Sequence, residues 1–168
     1  MSIALAAVGA VVVALLETSV LPFVLIGGAR PDLVLTFAVV ATVTISAQSG
    51  YAWAFVGGLM LDLLSAPARP LGSTMLSLLI AVGVAALAAR FLGRNRPATA
   101  VVATFALTFV YQVLFLGVLT TLAGPVSAGD PLGPAVPIAI ENTVLSIPLA
   151  LLGQWAWTRF GTHDRIDW

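Results

Sequence analysis

Runs of apolar residues, separated by short polar or Gly/Pro-rich turns, divide this chain into six segments. They cover residues 3–26, 33–47, 51–64, 73–92, 98–123 and 135–157, and a polar tail follows over residues 158–168. A helix that crosses a bilayer needs about 20 predominantly apolar residues, and four of the segments reach that length. The pattern predicts an all-α membrane protein, a six-transmembrane-helix bundle that forms a single polytopic domain over residues 1–168.

The second and third segments are shorter than an untilted span requires. Either they are short helices packed inside the protein, or they form a re-entrant hairpin, which is tolerated at membrane depth only where protein covers it. Two short helices that cross the membrane and a hairpin that does not cross it both return the chain to the same side. The predicted topology of the later segments is therefore the same for either alternative.

The composition agrees with a membrane location. Of the 168 residues, 60% are hydrophobic and only 8% are charged, whereas a soluble domain carries about 25% charged residues. The mean hydropathy is +1.10. Seven basic residues balance seven acidic ones, so net charge favours no nucleic-acid partner.

The chemistry available to the chain is narrow. There is no cysteine, and the single histidine, His163, lies in the polar tail. Thiolate metal sites, cysteine nucleophiles and a histidine relay within the membrane are therefore excluded. No hydrolase elbow, zinc-protease helix or phosphate-binding loop is found. The sequence predicts a protein that is not an enzyme and has no cofactor or metal.

Arginine is distributed unevenly among alternate loops. Five of the seven arginines fall in one set, which includes the Arg90–Pro97 loop and the C-terminal tail, and the other set holds Arg30 and Arg69. Because cytoplasmic loops are enriched in basic residues, this bias predicts that both the N- and C-termini are cytoplasmic.

The third segment carries the most informative pattern, a stripe at intervals of four: Gly50, Ala54, Gly58 and Asp62. On a helix these residues share one face, and small residues there let two membrane helices approach closely. A carboxylate at this depth costs about 2.5–3.5 kcal/mol, and the C-terminal end of a helix dipole disfavours it further. Asp62 is therefore either a tolerated acid on a generic packing face or the acceptor for a specific partner group.

Other polar residues within the segments have simpler interpretations. Asp32 follows Pro31 at the start of a helix, where a carboxylate satisfies free amides, so we expect a capping role. Glu17 is expected to reach the membrane interface or a partner protein. The alanines Ala6, Ala10 and Ala14 form a second small-residue stripe that could dock a partner.

A polar patch in the last segment begins at Glu141 and Asn142, and Thr104, Thr108 and Gln112 form a matching stripe on the fifth. We expect hydrogen bonds between these two faces, at about 0.6 kcal/mol per contact. The alternative is a solute or proton pathway.

Several of these motifs together resemble the MreD family, small integral membrane proteins of the bacterial rod-shape (elongasome) system. The resemblance is carried by Arg30-Pro31-Asp32-Leu33, a glycine near the start of the third segment, Gly57-Gly58-Leu59 with Asp62-Leu63-Leu64, Leu71-Gly72, and Asn142 before Pro148. The candidate motif, partner or packing residues are Pro31, Asp32, Gly50, Ala54, Gly57, Gly58, Asp62, Gly72, Glu141 and Asn142.

The resemblance implies a non-enzymatic role in the bacterial cytoplasmic membrane. MreD-like proteins bind MreC and work with MreB, RodA and a class B penicillin-binding protein. The family fold is thought to resemble the six-helix S components of ECF vitamin transporters. The small-residue stripes also allow a homodimer within the lipid bilayer.

Two functions follow from these observations. The first is a scaffold or regulatory subunit that binds MreC through membrane helices. The second is a solute-binding subunit of S-component type, for which the chain offers few convergent polar groups.

Overall fold

The computed structural model describes residues 3–23, 30–65, 70–92, 97–123 and 133–160. They form six α-helices: α1 (Ile3–Ser19), α2 (Leu33–Thr44), α3 (Ala47–Leu64), α4 (Ser73–Leu92), α5 (Pro97–Ala123) and α6 (Ala135–Phe160). A short 3-10 turn, Leu21–Phe23, follows α1. The predicted all-helical fold is confirmed over these residues.

The helices differ in their fitness to cross a membrane. Within the described ranges, α4, α5 and α6 are long and apolar enough to span, and α1 and α2 are shorter apolar helices. Helix α3 has 18 residues but also a polar first turn and Asp62. The structure therefore supports a membrane helical bundle, and six complete crossings stay a prediction.

Helix α2 lies at the centre of the bundle. It contacts each of the other five helices, and ten of its 12 residues are buried. At a rise of 1.5 Å per residue, α2 is about 18 Å long, well short of the roughly 30 Å hydrocarbon core. A short helix is tolerated at membrane depth because protein surrounds it and satisfies its ends.

Threonines within α2 show how its polar atoms are satisfied. The hydroxyls of Thr36, Thr42 and Thr44 each donate to the carbonyl four residues earlier, at 2.6–2.8 Å. These bonds stay within the helix, so the buried hydroxyls need no partner from another helix.

Several helix boundaries differ from those predicted by hydropathy: α2 ends at Thr44, before residue 47, and α6 continues to Phe160, three residues into the predicted polar tail. The two largest differences are at the start of α3 and the end of α1. The third segment was expected to begin at Tyr51, but α3 begins at Ala47, because the Ser46 side chain accepts a hydrogen bond from the Ser49 amide at 3.1 Å and caps the helix. The polar residues of this first turn lower the local hydropathy and so hide the start of the helix. The first helix ends at Ser19, earlier than residue 26, and residues 24–29 lie outside the described ranges.

Candidate functional site

The glycine pair of the family motif lets α3 touch two neighbours at once. A Cβ atom on Gly57 would lie 2.5 Å from Cγ1 of Val34, in the first turn of α2. A Cβ atom on Gly58 would lie 2.6 Å from Cα of Met75, in the first turn of α4. At either distance a Cβ atom would force the neighbouring atoms to shift, so glycine at these positions brings α3 against the starts of both helices.

The start of α4 is capped by Asp62, which is fully buried one turn after Gly58. Its carboxylate accepts hydrogen bonds from the amides of Gly72 (2.9 Å), Thr74 (3.0 Å) and Met75 (3.2 Å). The Ser73 hydroxyl lies at 3.4 Å. A negative charge is favourable at the positive end of a helix dipole, and bonds from amides to a carboxylate are strong. The partner group that Asp62 requires is thus the N-terminus of α4.

Gly72 explains why this cap comes from another helix. It precedes the first residue of α4, where a Ser, Thr, Asp or Asn would normally cap, but it has no side chain and a φ of +92°. Only glycine adopts that conformation without strain. The turn therefore leaves the first amides of α4 to an acceptor from α3.

The start of α2 is capped both locally and from α1. The Asp32 carboxylate accepts from the Leu35 amide at 2.9 Å, the geometry expected of an N-cap residue, and the preceding Pro31 is buried. The Glu17 carboxylate accepts from the Val34 amide, also at 2.9 Å. Glu17 therefore has a hydrogen-bond donor inside the protein, although its side chain is only half-buried, and its reach to the interface or to a partner protein stays a prediction.

Asn142 connects the same helix start to the far side of the bundle. Its side-chain oxygen accepts from the Asp32 amide at 2.7 Å, and its nitrogen donates to the Thr108 hydroxyl at 3.2 Å. One fully buried amide thus joins α2, α5 and α6. The expected hydrogen bond between the fifth and sixth segments is present at this pair.

Glu141 is adjacent in sequence but does not join this network. It is half-buried, and its Oε2 atom is shielded without a hydrogen-bond partner among the described residues. Gln112, from the matching stripe on α5, instead lines a cavity beside the start of α2.

The residues of both small-residue stripes are buried by packing within the bundle. Ala54 is fully buried, and a Cβ atom on Gly50 would overlap the Thr42 side chain. On α1, the alanines Ala6, Ala10 and Ala14 are also completely buried. The idea that the alanine stripe docks a partner was therefore wrong, since this face already packs inside the bundle.

A cavity of about 450 Å³ beside the start of α2 was not anticipated from the sequence. Its polar lining includes Glu17, Arg30, Asp32 and Gln112, contributed by α1, α5 and the segment before α2. Glu17 and Gln112 are far in sequence from Arg30 and Asp32, and the only signal in the sequence is that each is a polar residue within or beside an apolar segment. The lining offers both charge signs and an amide to a small polar molecule.

Fold and sites together define a helical membrane protein in which Asp62, fully buried, and Glu17, half-buried, connect helix starts to neighbouring helices. The model of the family described as rod shape-determining protein MreD matches residues 3–152, which includes all of α1 to α5 and most of α6. The chain belongs to the MreD family of rod shape-determining membrane proteins. Neither the curated proteins nor the solved structures yield a match.

Proposed function

We propose that this protein is a non-enzymatic scaffold or regulatory subunit of the cell-elongation machinery that binds MreC within the bacterial cytoplasmic membrane. The observation that carries the proposal is the family match over residues 3–152. MreB, RodA and a class B penicillin-binding protein complete the proposed complex, which directs peptidoglycan synthesis during elongation.

The contacts of the ten candidate residues support two different roles, maintenance of the fold and partner binding. We propose that nine of the ten candidates maintain the fold, since each caps a helix, forms a turn or packs at a helix contact. These nine are Pro31, Asp32, Gly50, Ala54, Gly57, Gly58, Asp62, Gly72 and Asn142. Glu141 is the exception, and we assign it to partner binding.

The surroundings of Glu141 fit a membrane-embedded partner. It flanks an apolar strip on α6 that includes Val136, Ile140 and Val144, all more than half exposed. A transmembrane helix of MreC could cover this strip and supply a hydrogen-bond donor to the Glu141 carboxylate. A polar group that is shielded but unpaired in the isolated chain favours association with a helix that pairs it.

Co-expression with the cognate MreC tests both parts of the proposal. We expect a complex that survives mild detergent, and Glu141→Leu should reduce the recovered MreC at least several-fold while the protein itself remains folded. Gln154→Ala, on the same helix, serves as the control and should leave recovery unchanged. Recovery of each protein alone would contradict MreC binding, and an undiminished complex with Glu141→Leu would contradict the assigned face.

The orientation belongs to the same proposal. We place both termini in the cytoplasm on the arginine bias of the sequence. In support, α4 and α6 each carry an arginine in the last turn, Arg90 and Arg159.

A second candidate is a solute-binding role of S-component type, favoured by the mixed-charge cavity beside α2. A small molecule that co-purifies, raises the thermal unfolding temperature and loses this effect in Arg30→Gln would support it. The absence of any ligand-dependent shift across vitamins and their precursors would reject it. The scaffold role is preferred because the family match supports a membrane protein of rod-shape determination.

A further inference from the structure

A groove runs along the outside of the bundle at the end where α4 finishes. It has a volume of about 850 Å³ and lies between α3 and the second half of α4, with the end of α2 at its base. Residues along it include Thr42, Tyr51, Ile80, Gly83, Leu87 and Arg90. We propose that this groove binds one anionic phospholipid, whose acyl chain follows the groove and whose phosphate meets Arg90.

The shape of the groove depends on Gly83. A Cβ atom there would lie 3.4 Å from the Tyr51 hydroxyl, so any side chain larger than alanine would fill the space between α4 and the tyrosine. Ile80 and Leu87 border the groove and are about half exposed. The result is a concave apolar surface, unlike the convex faces that most membrane helices present to lipid.

The length of the groove matches one leaflet of a bilayer. Ile80 and Arg90 are ten residues apart on α4, which is about 15 Å at 1.5 Å per residue. The hydrocarbon core is about 30 Å thick, so each leaflet contributes about 15 Å. An acyl chain that reaches Ile80 from the nearer surface therefore places its headgroup at the level of Arg90.

The chemistry at that level selects an anionic headgroup. Arg90 is exposed in the last turn of α4, and no acidic side chain in the described part of the chain pairs with its guanidinium. Guanidinium binds phosphate through two parallel hydrogen bonds. The Thr42 hydroxyl already donates to the Ala38 carbonyl, so Arg90 carries the charge recognition.

The inference goes beyond MreC binding and does not depend on it, but it uses the proposed orientation. The arginine bias that orients the protein places this end of α4 in the cytoplasmic leaflet, where anionic lipids attract basic residues at about 1 kcal/mol each. That free energy corresponds to about a fivefold preference for an anionic over a zwitterionic lipid.

Competition between two lipids tests the proposal. The full chain in mild detergent is incubated with equal amounts of phosphatidylglycerol and phosphatidylcholine that have identical acyl chains, and retained lipid is measured by native mass spectrometry. We expect about a fivefold preference for phosphatidylglycerol. Arg90→Gln should abolish the preference, Arg90→Lys should keep most of it, and Gly83→Leu should lower retention of both lipids.

Matched controls separate this site from general lipid contact. Arg159→Gln removes an arginine from the last turn of α6, and Gly117→Leu adds a side chain where no atom lies within 4 Å of a Cβ. Both variants should behave like the wild type. Equal retention of the two lipids by the wild type, or an equal loss of preference in Arg159→Gln, would overturn the proposal.

A protein occupant would give a different result. If the groove holds a partner's transmembrane helix, Arg90→Gln and Gly83→Leu would release co-expressed MreC without changing lipid retention, and this outcome would also overturn the proposal. Circular dichroism establishes that each variant is folded. The Arg90 variants decide the question even if Gly83→Leu does not fold, because Arg90 is exposed at a helix end.

Discussion

The starts of α2 and α4 differ in how acceptors are supplied to their free backbone amides. At α2, the carboxylates of Asp32 and of Glu17 from α1 each accept a hydrogen bond from one amide. Asn142 accepts a third hydrogen bond, from the amide of Asp32 itself. At α4, one carboxylate from α3 accepts from three amides, and the cap position is a glycine. The first arrangement distributes the acceptors over two helices, α1 and α6, and the segment before α2, whereas the second concentrates them in Asp62. Three amides are satisfied at each start, but the loss of one acceptor side chain leaves one amide unsatisfied at α2 and three at α4.

The largest predicted effect is therefore at Asp62. Asp62→Leu would leave the amides of Gly72, Thr74 and Met75 at the start of α4 without their acceptor in a buried site, at a cost of at least about 3 kcal/mol. We expect a large loss of folded protein and of MreC complex. The free energy of unfolding is measured by titration with a denaturing detergent.

The conservative substitution sharpens this comparison. Asp62→Asn retains one acceptor oxygen but introduces two donors beside backbone amides, so we expect a loss of about 2 kcal/mol. Asp32→Asn should change stability by less than about 0.5 kcal/mol, because asparagine caps helices as well as aspartate does. Equal losses at the two positions would show that the difference between the helix starts has no energetic consequence.

The two helix starts also differ in how far the sequence predicts them. Asp32 lies three residues before the amide that it accepts, so Pro31-Asp32 identified the cap without knowledge of the fold. The amides bound by Asp62 are ten to 13 residues away. The stripe ending at Asp62 indicated that a partner was needed, but only the turn at Gly72 and the crossing of α3 and α4 determine which group it is.

Predictions based on hydropathy succeeded where a helix is apolar throughout and failed where polar residues begin one. Helix α4 occupies Ser73–Leu92, as the apolar run indicates, whereas the polar first turn of α3 concealed its start. The short length of the second segment left open a helix packed inside the protein or part of a re-entrant hairpin, and the contacts of α2 with the five other helices favour the first alternative. The hydrogen bond of Glu17 to the start of α2 was not predicted, because its partner amide becomes available only once α1 and α2 pack together.

A smaller effect is expected at the glycine pair, which brings α3 against both starts. Gly58→Ala would place a methyl group 2.6 Å from the Met75 backbone, and backbone cannot move without disturbing the amides that Asp62 binds. We expect a loss of about 2 kcal/mol. Gly57→Ala should cost less, because its methyl group meets a terminal methyl of Val34 that can shift.

Gly117→Ala is the control for this pair. It has no atom within 4 Å of the added methyl group, and alanine favours a helix interior over glycine by about 1 kcal/mol. Thermal unfolding in detergent should therefore rank the proteins Gly117→Ala, wild type, Gly57→Ala and Gly58→Ala in decreasing order of stability. A reversed order of Gly57→Ala and Gly58→Ala would mean that the backbone at the start of α4 shifts at a lower cost than the Val34 side chain at the start of α2.

The loss of one acceptor at α2 is expected to have a smaller effect than Gly58→Ala. Asp32→Ala should cost about 1 kcal/mol, the usual contribution of an N-cap side chain. Glu17 would still accept from the Val34 amide, and the backbone amide of residue 32 would still donate to Asn142.

The double variant Asp32→Ala/Glu17→Ala removes both carboxylates, and we expect it to cost at least about 0.5 kcal/mol more than the sum of the single losses, because each acceptor partly compensates for the absence of the other. Unfolding titrations of the four proteins measure this coupling; strictly additive losses would mean that the two carboxylates act independently and that α2 owes its robustness to burial in the centre of the bundle.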